Sequence, residues 1–144
     1  MIVIDVNLLI YSYDAMTPLH IEAKAWLETV LSSANPIGLP WQSISGFIRI
    51  LTYPGIHGER FLRDQALSIV DQWLAMPNVR TLAPTERHWA LFREMLTKGD
   101  IRGARTTDAQ LAALTIEYGG VLHTTDRDFA RFPGLRWVNP LVAS

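Results

Sequence analysis

The chain has 144 residues, 49% of them hydrophobic and 19% charged, with 13 Lys+Arg, 14 Asp+Glu and no cysteine. One domain spanning residues 1–144 is the expectation at this length, and the apolar content supports a core and excludes intrinsic disorder. The missing thiols exclude disulfides, thiolate nucleophiles and Cys-held zinc or iron–sulfur centres, and a net charge of −1 excludes a global basic field for gathering nucleic acid.

Ile2-Val3-Ile4 is a continuous apolar run that suits a strand buried on both faces, with Asp5 at its C-terminal end. After Asn7 a short apolar stretch, Leu8 to Tyr11, leads to Thr17-Pro18, which predicts the cap and first turn of a helix over 18–33. Ile37-Gly38-Leu39 reads as a second strand. Ile44, Phe47, Ile48 and Leu51, spaced by three and four, predict a helix broken at Tyr53-Pro54-Gly55. A further helix is predicted over 59–76, then a strand over 79–82. Pro84-Thr85-Glu86 opens a helix that runs to Lys98-Gly99. A polar loop from Gly99 to Thr106 carries Arg102 and Arg105. Thr107 to Gln110 has capping-box spacing and starts a helix that ends at Gly119-Gly120. Val121 to Thr124 is a fourth strand, 125–132 a short helix or turn, and Leu135 to Val138 a fifth strand. The five Trp are expected to fill the core, and His20 and His88 to lie on helix surfaces.

Strands alternating with helices predict right-handed crossovers and an α/β fold: a mostly parallel sheet of four to five strands covered on both faces. Every apolar run is too short for a membrane span, and the N-terminus has no basic region before Asp5, so a soluble, cytoplasmic protein is expected. Residues 1–48 hold one base (Lys24) against four acids (Asp5, Asp14, Glu22, Glu28), a balance of −3, which leaves +2 for the remainder. Eleven of the 13 bases are Arg, whose planar fork matches phosphate oxygens, although a compositional bias of the genome would give the same count.

Ligands of such folds bind beyond the carboxyl ends of the strands. Asp5 ends the first strand, Asp126 follows the fourth, and Asp108 starts the helix feeding the fourth, so the three converge on one rim if the strand order brings those strands together. Clustered carboxylates are tolerated when protonated, paired with Arg or holding a cation, and a hard divalent ion such as Mg²⁺ or Mn²⁺ is the simplest partner. That site suits hydrolytic phosphoryl chemistry. Each residue also has a plainer use: Asp108 favours a helix dipole, Asp128 closes a capping box with Thr125, Asn7 fits a turn, and Thr124 and Thr125 serve as caps. Asp5 has few such uses. The four His show no ligand spacing.

These motifs together resemble the PIN-domain ribonucleases and, within them, the VapC-type toxins of toxin–antitoxin pairs. Val3 to Tyr11 is similar to the opening motif, Asp108 to Leu114 to the third acidic motif, and Thr124 to Leu135 to the closing one. The resemblance implies a three-layer α/β/α PIN-like domain. It also implies an RNA endonuclease with Mg²⁺ or Mn²⁺ held by Asp5, Asp108 and Asp126. Asn7 and Thr125 would support the site, and Asp128 would be an outer acid. A VapB-like antitoxin and a homodimer are implied as well. Arg102 and Arg105 are expected to meet RNA phosphates. Many PIN domains carry a Glu on the helix after the second strand, and residues 41–52 contain no acid. A haloacid dehalogenase-like phosphatase would need a second Asp where Asn7 stands. The alternative function is a weak or inactive PIN module that mainly binds its antitoxin or RNA.

Overall fold

A computed structural model describes residues 1–57 and 61–142. In chain order it contains β1 (Ile2–Ile4), α1 (Val6–Tyr13), α2 (His20–Leu31), β2 (Ile37–Pro40), α3 (Trp41–Leu51), α4 (Pro54–His57), α5 (Arg63–Leu74), β3 (Val79–Leu82), α6 (His88–Lys98), α7 (Thr106–Glu117), β4 (Val121–His123) and β5 (Trp137–Val138). Short 3-10 turns occupy Gly103–Arg105 and Arg127–Arg131. The sheet is parallel throughout, in the order β3-β2-β1-β4-β5.

Alternation along β1 divides the core in two. Ile4 packs with Leu8, Leu9, Leu27, Phe47 and Trp73 from α1, α2, α3 and α5 on one face. Val3 packs with Met95, Ala109, Ala112, Ala113 and Phe129 on the other, against α6 and α7. Both faces are therefore covered, which is why β1 reads as an unbroken apolar run rather than an alternating one. At the middle of β2 a Cβ on Gly38 would stand 2.6 Å from Leu82 Cδ1 and 2.8 Å from Met1 Sδ, so any larger residue would push these side chains aside.

Several local expectations are corrected. Val6–Tyr13 is helical, and its start is set by Asp5, whose Oδ1 accepts from the Val6 N–H at 2.8 Å. Thr17 does not cap α2; its hydroxyl donates to the Asp14 carbonyl at 2.9 Å in the preceding turn, and the helix begins at His20. The helix expected over 59–76 is observed as Arg63–Leu74, with positions 59 and 60 outside the described residues. No side chain caps α7, so the Thr107 capping box is not formed; the Thr107 hydroxyl faces the Ala104 carbonyl at 3.4 Å. Trp73 is buried, but Trp41 and Trp89 are 51% and 64% exposed and do not fill the core. His88 is not a surface residue: its imidazole Nδ1 is bonded to the fully enclosed Glu117 carboxylate.

The strand order carries the functional consequence. From β1 the chain builds β2 and β3 on one side, then returns to place β4 and β5 on the other. The reversal opens a crevice beyond the ends of β1 and β4, the place where parallel sheets bind ligands.

Candidate active site

Asp5 stands at that reversal. Its backbone N–H donates to the His123 carbonyl at 3.1 Å, which continues the β1–β4 pairing one residue past the strands. Its φ of −72° and ψ of 148° turn the chain into α1. The carboxylate is 7% exposed and takes two donors: the Val6 N–H on Oδ1 and the Thr124 hydroxyl on Oδ2 at 2.7 Å. Burial pushes its pKa from 3.8 up to about 6; the two hydrogen bonds oppose the rise, and the charges of Asp108 and Asp126 add to it.

Thr124, fully buried, joins two of the acids. Its Oγ1 donates to Asp5 and accepts from the Asp126 N–H at 3.0 Å. Thr124→Val keeps the shape and removes both bonds. We expect a loss of about 1–3 kcal/mol in urea unfolding, because the Asp126 N–H is left unmatched. The Asp5 carboxyl, followed by carbon NMR, should titrate higher still; an unchanged titration would contradict this role for the hydroxyl.

Asp126 caps the 3-10 turn at Arg127–Arg131 by accepting from the Asp128 N–H at 2.9 Å. The Thr125–Asp128 capping box is therefore replaced by an Asp126 cap. Asp108 lies in the first turn of α7, where the helix dipole favours negative charge. Its pKa is raised by burial and by Asp126 and Asp128, against the lowering influence of Arg105. Arg105 Nη1 donates to Asp108 at 2.9 Å and to Asp126 at 3.3 Å, and Nη2 donates to Asp128.

The structure thus gathers Asp5, Asp108, Asp126 and Asp128, with Asn7 and Thr125 half-buried beside Asp5 and Asp126 in sequence. Arg105 sits on three of the acids, while the Arg102 side chain is 87% exposed and lies 3.9 Å from Asp100. Glu22 is exposed on α2. Two residues escaped the sequence reading. Ser43 donates to the Ile4 carbonyl at 2.9 Å, and Gln42 Nε2 donates to the Thr107 carbonyl at 3.3 Å. They tie the start of α3, in the segment without an acid, to β1 and α7. Their only signal was polarity at the end of an apolar strand.

In chemistry the donors fit a hard cation. They are all carboxylate oxygens, they feel one another's charge, and a guanidinium cation is drawn among three of them. The fit is one of donor chemistry: among the described residues no three Asp, Glu or His side chains lie close enough together, as they stand, to hold a metal ion. Water activated between such groups and a cation is suited to attack on phosphorus.

Known proteins share this sequence pattern and fold. The PIN domain pattern matches residues 2–135. The chain is 38% identical over 141 residues to Ribonuclease VapC33 of Mycobacterium tuberculosis, covering 98% of this chain and 99% of the relative. Its fold is similar to that of VapC20 of Mycobacterium tuberculosis, a sarcin-ricin loop cleaving toxin, with a TM-score of 0.68, 19% identity, and 94% and 99% of the two chains covered. It is likewise similar to VapBC2 of Rickettsia felis bound to a DNA fragment from their promoter, with a TM-score of 0.67, 18% identity, and 96% and 98% covered. A domain match over nearly the whole chain and full-length relatives of one kind give a single answer: the chain belongs to the PIN domain family and, within it, to the VapC type.

Proposed function

We propose that the chain is a divalent-metal-dependent endoribonuclease and the toxin of a VapBC-like pair. The observation that carries the proposal is the convergence of Asp5, Asp108 and Asp126 beyond β1 and β4, in a chain of the same family and length as a named ribonuclease. Asp5, Asp108 and Asp126 would hold Mg²⁺ or Mn²⁺, which when bound supplies Lewis acidity and a lowered pKa for the attacking water. Thr124 fixes the rotamer of Asp5. Asp5 has to lose its proton before it can hold a cation, so binding strengthens as pH rises through about 6. Asn7 and Thr125 support the site, and Asp128 serves as an outer carboxylate. In the reaction, water oxygen bonds to phosphorus as the bond to the leaving ribose oxygen breaks; the attacking water gives a proton to solvent and the leaving oxygen takes one from it.

The partner we propose is a VapB-like antitoxin, in line with the VapBC complex of similar fold, and the quaternary state a homodimer in the cytoplasm. Among the described residues no helix is long and apolar enough to cross a membrane. The test is total cellular RNA incubated with the stripped protein, with and without Mn²⁺, followed by mapping of both fragment ends. Internal cuts that require the metal support the proposal; trimming only from the ends would make the chain an exonuclease and overturn the endonuclease reading, and intact RNA in every lane would favour the binding module.

A further inference from the structure

We infer that Arg105 is a resident counter-cation of the carboxylate cluster, which a divalent ion must displace in order to bind. The inference rests on the metal site proposed above. The fork reaches Asp108 at 2.9 Å, Asp126 at 3.3 Å and Asp128, and so bridges two of the proposed ligands and the outer acid with one planar group. The backbone aims it there. Gly103 at φ 61° turns the polar loop into the 3-10 turn Gly103–Arg105, and Arg105 is the last residue before α7, three positions ahead of Asp108.

An ion pair of this kind has two opposed effects. It relieves repulsion among acids that would otherwise face one another unpaired, which favours the metal-free fold. It also occupies the same carboxylate oxygens a hard cation needs, so it lowers apparent metal affinity in proportion to its own stability. The guanidinium is 37% exposed, hence each contact is weak and the clamp is easily opened. Once opened, the fork is left at the crevice mouth, where an RNA phosphate can take the place of the carboxylates. The metal displaces Arg105 as it binds, and the freed fork then takes an RNA phosphate.

The test is calorimetric titration of Mn²⁺ into EDTA-stripped protein at pH 7.5, with thermal unfolding of the same samples. Arg105→Gln should bind Mn²⁺ about tenfold more tightly than the wild type, and its metal-free form should melt lower. Saturating Mn²⁺ should close that melting gap. Arg105→Lys, which keeps a charge without the fork, should fold normally and fall between the two in affinity. Equal or weaker binding by both variants would overturn the inference while leaving the metal site intact, since it would make Arg105 a positioning residue for the loaded state. Absence of binding by every protein, the wild type included, would overturn the metal site and this inference with it.

Discussion

Asp5→Asn is expected to abolish RNA cleavage and yet raise the melting temperature of the metal-free protein at neutral pH. The fold holds this carboxylate 7% exposed, near two other acids, and lifts its pKa from 3.8 to about 6. A carboxyl whose folded pKa is raised binds its proton more tightly in the native state, so it costs no stability below about pH 4. The cost grows between pH 4 and 6 and is complete above 6. A rise of about two units corresponds to roughly 3 kcal/mol at pH 7.5. Asparagine lacks the ionisation and forfeits about 1 kcal/mol with one of the two hydrogen bonds. The net gain of about 2 kcal/mol is worth on the order of 6 °C for a chain of this size. Calorimetric melting at pH 7.5 and pH 4 in EDTA checks this: the variant should melt higher at 7.5, and the advantage should vanish at 4. Cleavage should fall by at least about 100-fold, the upper range for groups one step further from a metal. A variant less stable at pH 7.5 would mean that the buried charge is compensated.

Glu117→Ala is expected to have the opposite profile, a large loss of stability with cleavage per folded molecule unchanged. The side chain is fully enclosed at the end of α7 remote from Asp108. It accepts from the Thr85 N–H at 2.9 Å, from the Thr85 hydroxyl at 2.7 Å and from His88 Nδ1. Together these fasten the entry of α6 to α7. Burial alone would raise the Glu117 pKa, but the bonds from His88 and Thr85 outweigh it and hold the pKa below 4.5. A lowered carboxyl pKa gives stability that is present above the unfolded value and lost as pH falls through the folded one. Truncation leaves three donors without their acceptor and should cost about 3 kcal/mol in urea unfolding at pH 7. Glu117→Gln, close in shape, should cost less and flatten the stability curve below pH 4.5. A loss under about 0.5 kcal/mol for the Ala variant would make the network incidental.

The contrast between these two acids shows which parts of the molecule were open to sequence reasoning. Asp5 was legible because an acid closing an apolar strand has few other uses, and the alternation of strands and helices then put Asp5, Asp108 and Asp126 at one rim. Glu117 was not, because an acid near the end of a helix resembles any solvated position until Thr85 and His88 are folded against it. The α1 helix stayed hidden for a related reason: eight residues give little periodicity, and the Asp5 that starts it was already read as a functional acid. In the proposed site one carboxylate would do both jobs. Strand order was also beyond local signals, since it depends on which crossover packs against which face, yet it decides that β1 and β4 are neighbours. The sequence places Arg105 at the rim but not on the acids, because its reach depends on the turn at Gly103. Thr124 reads in the sequence as the end of a strand or a cap, and the structure gives it the central bond between Asp5 and Asp126.

In the proposed reaction the rim carboxylates hold the ion with which the protein cuts RNA. The most direct test is RNA cleavage by stripped protein titrated with Mn²⁺, the wild type beside a folded Asp108→Asn preparation, with Mn²⁺ binding measured on the same samples. Cleavage by the wild type should rise in step with Mn²⁺ occupancy, and Asp108→Asn should lose both. Cleavage by Asp108→Asn at the wild-type rate, or cleavage by the wild type that persists in EDTA, would contradict this role for the carboxylates.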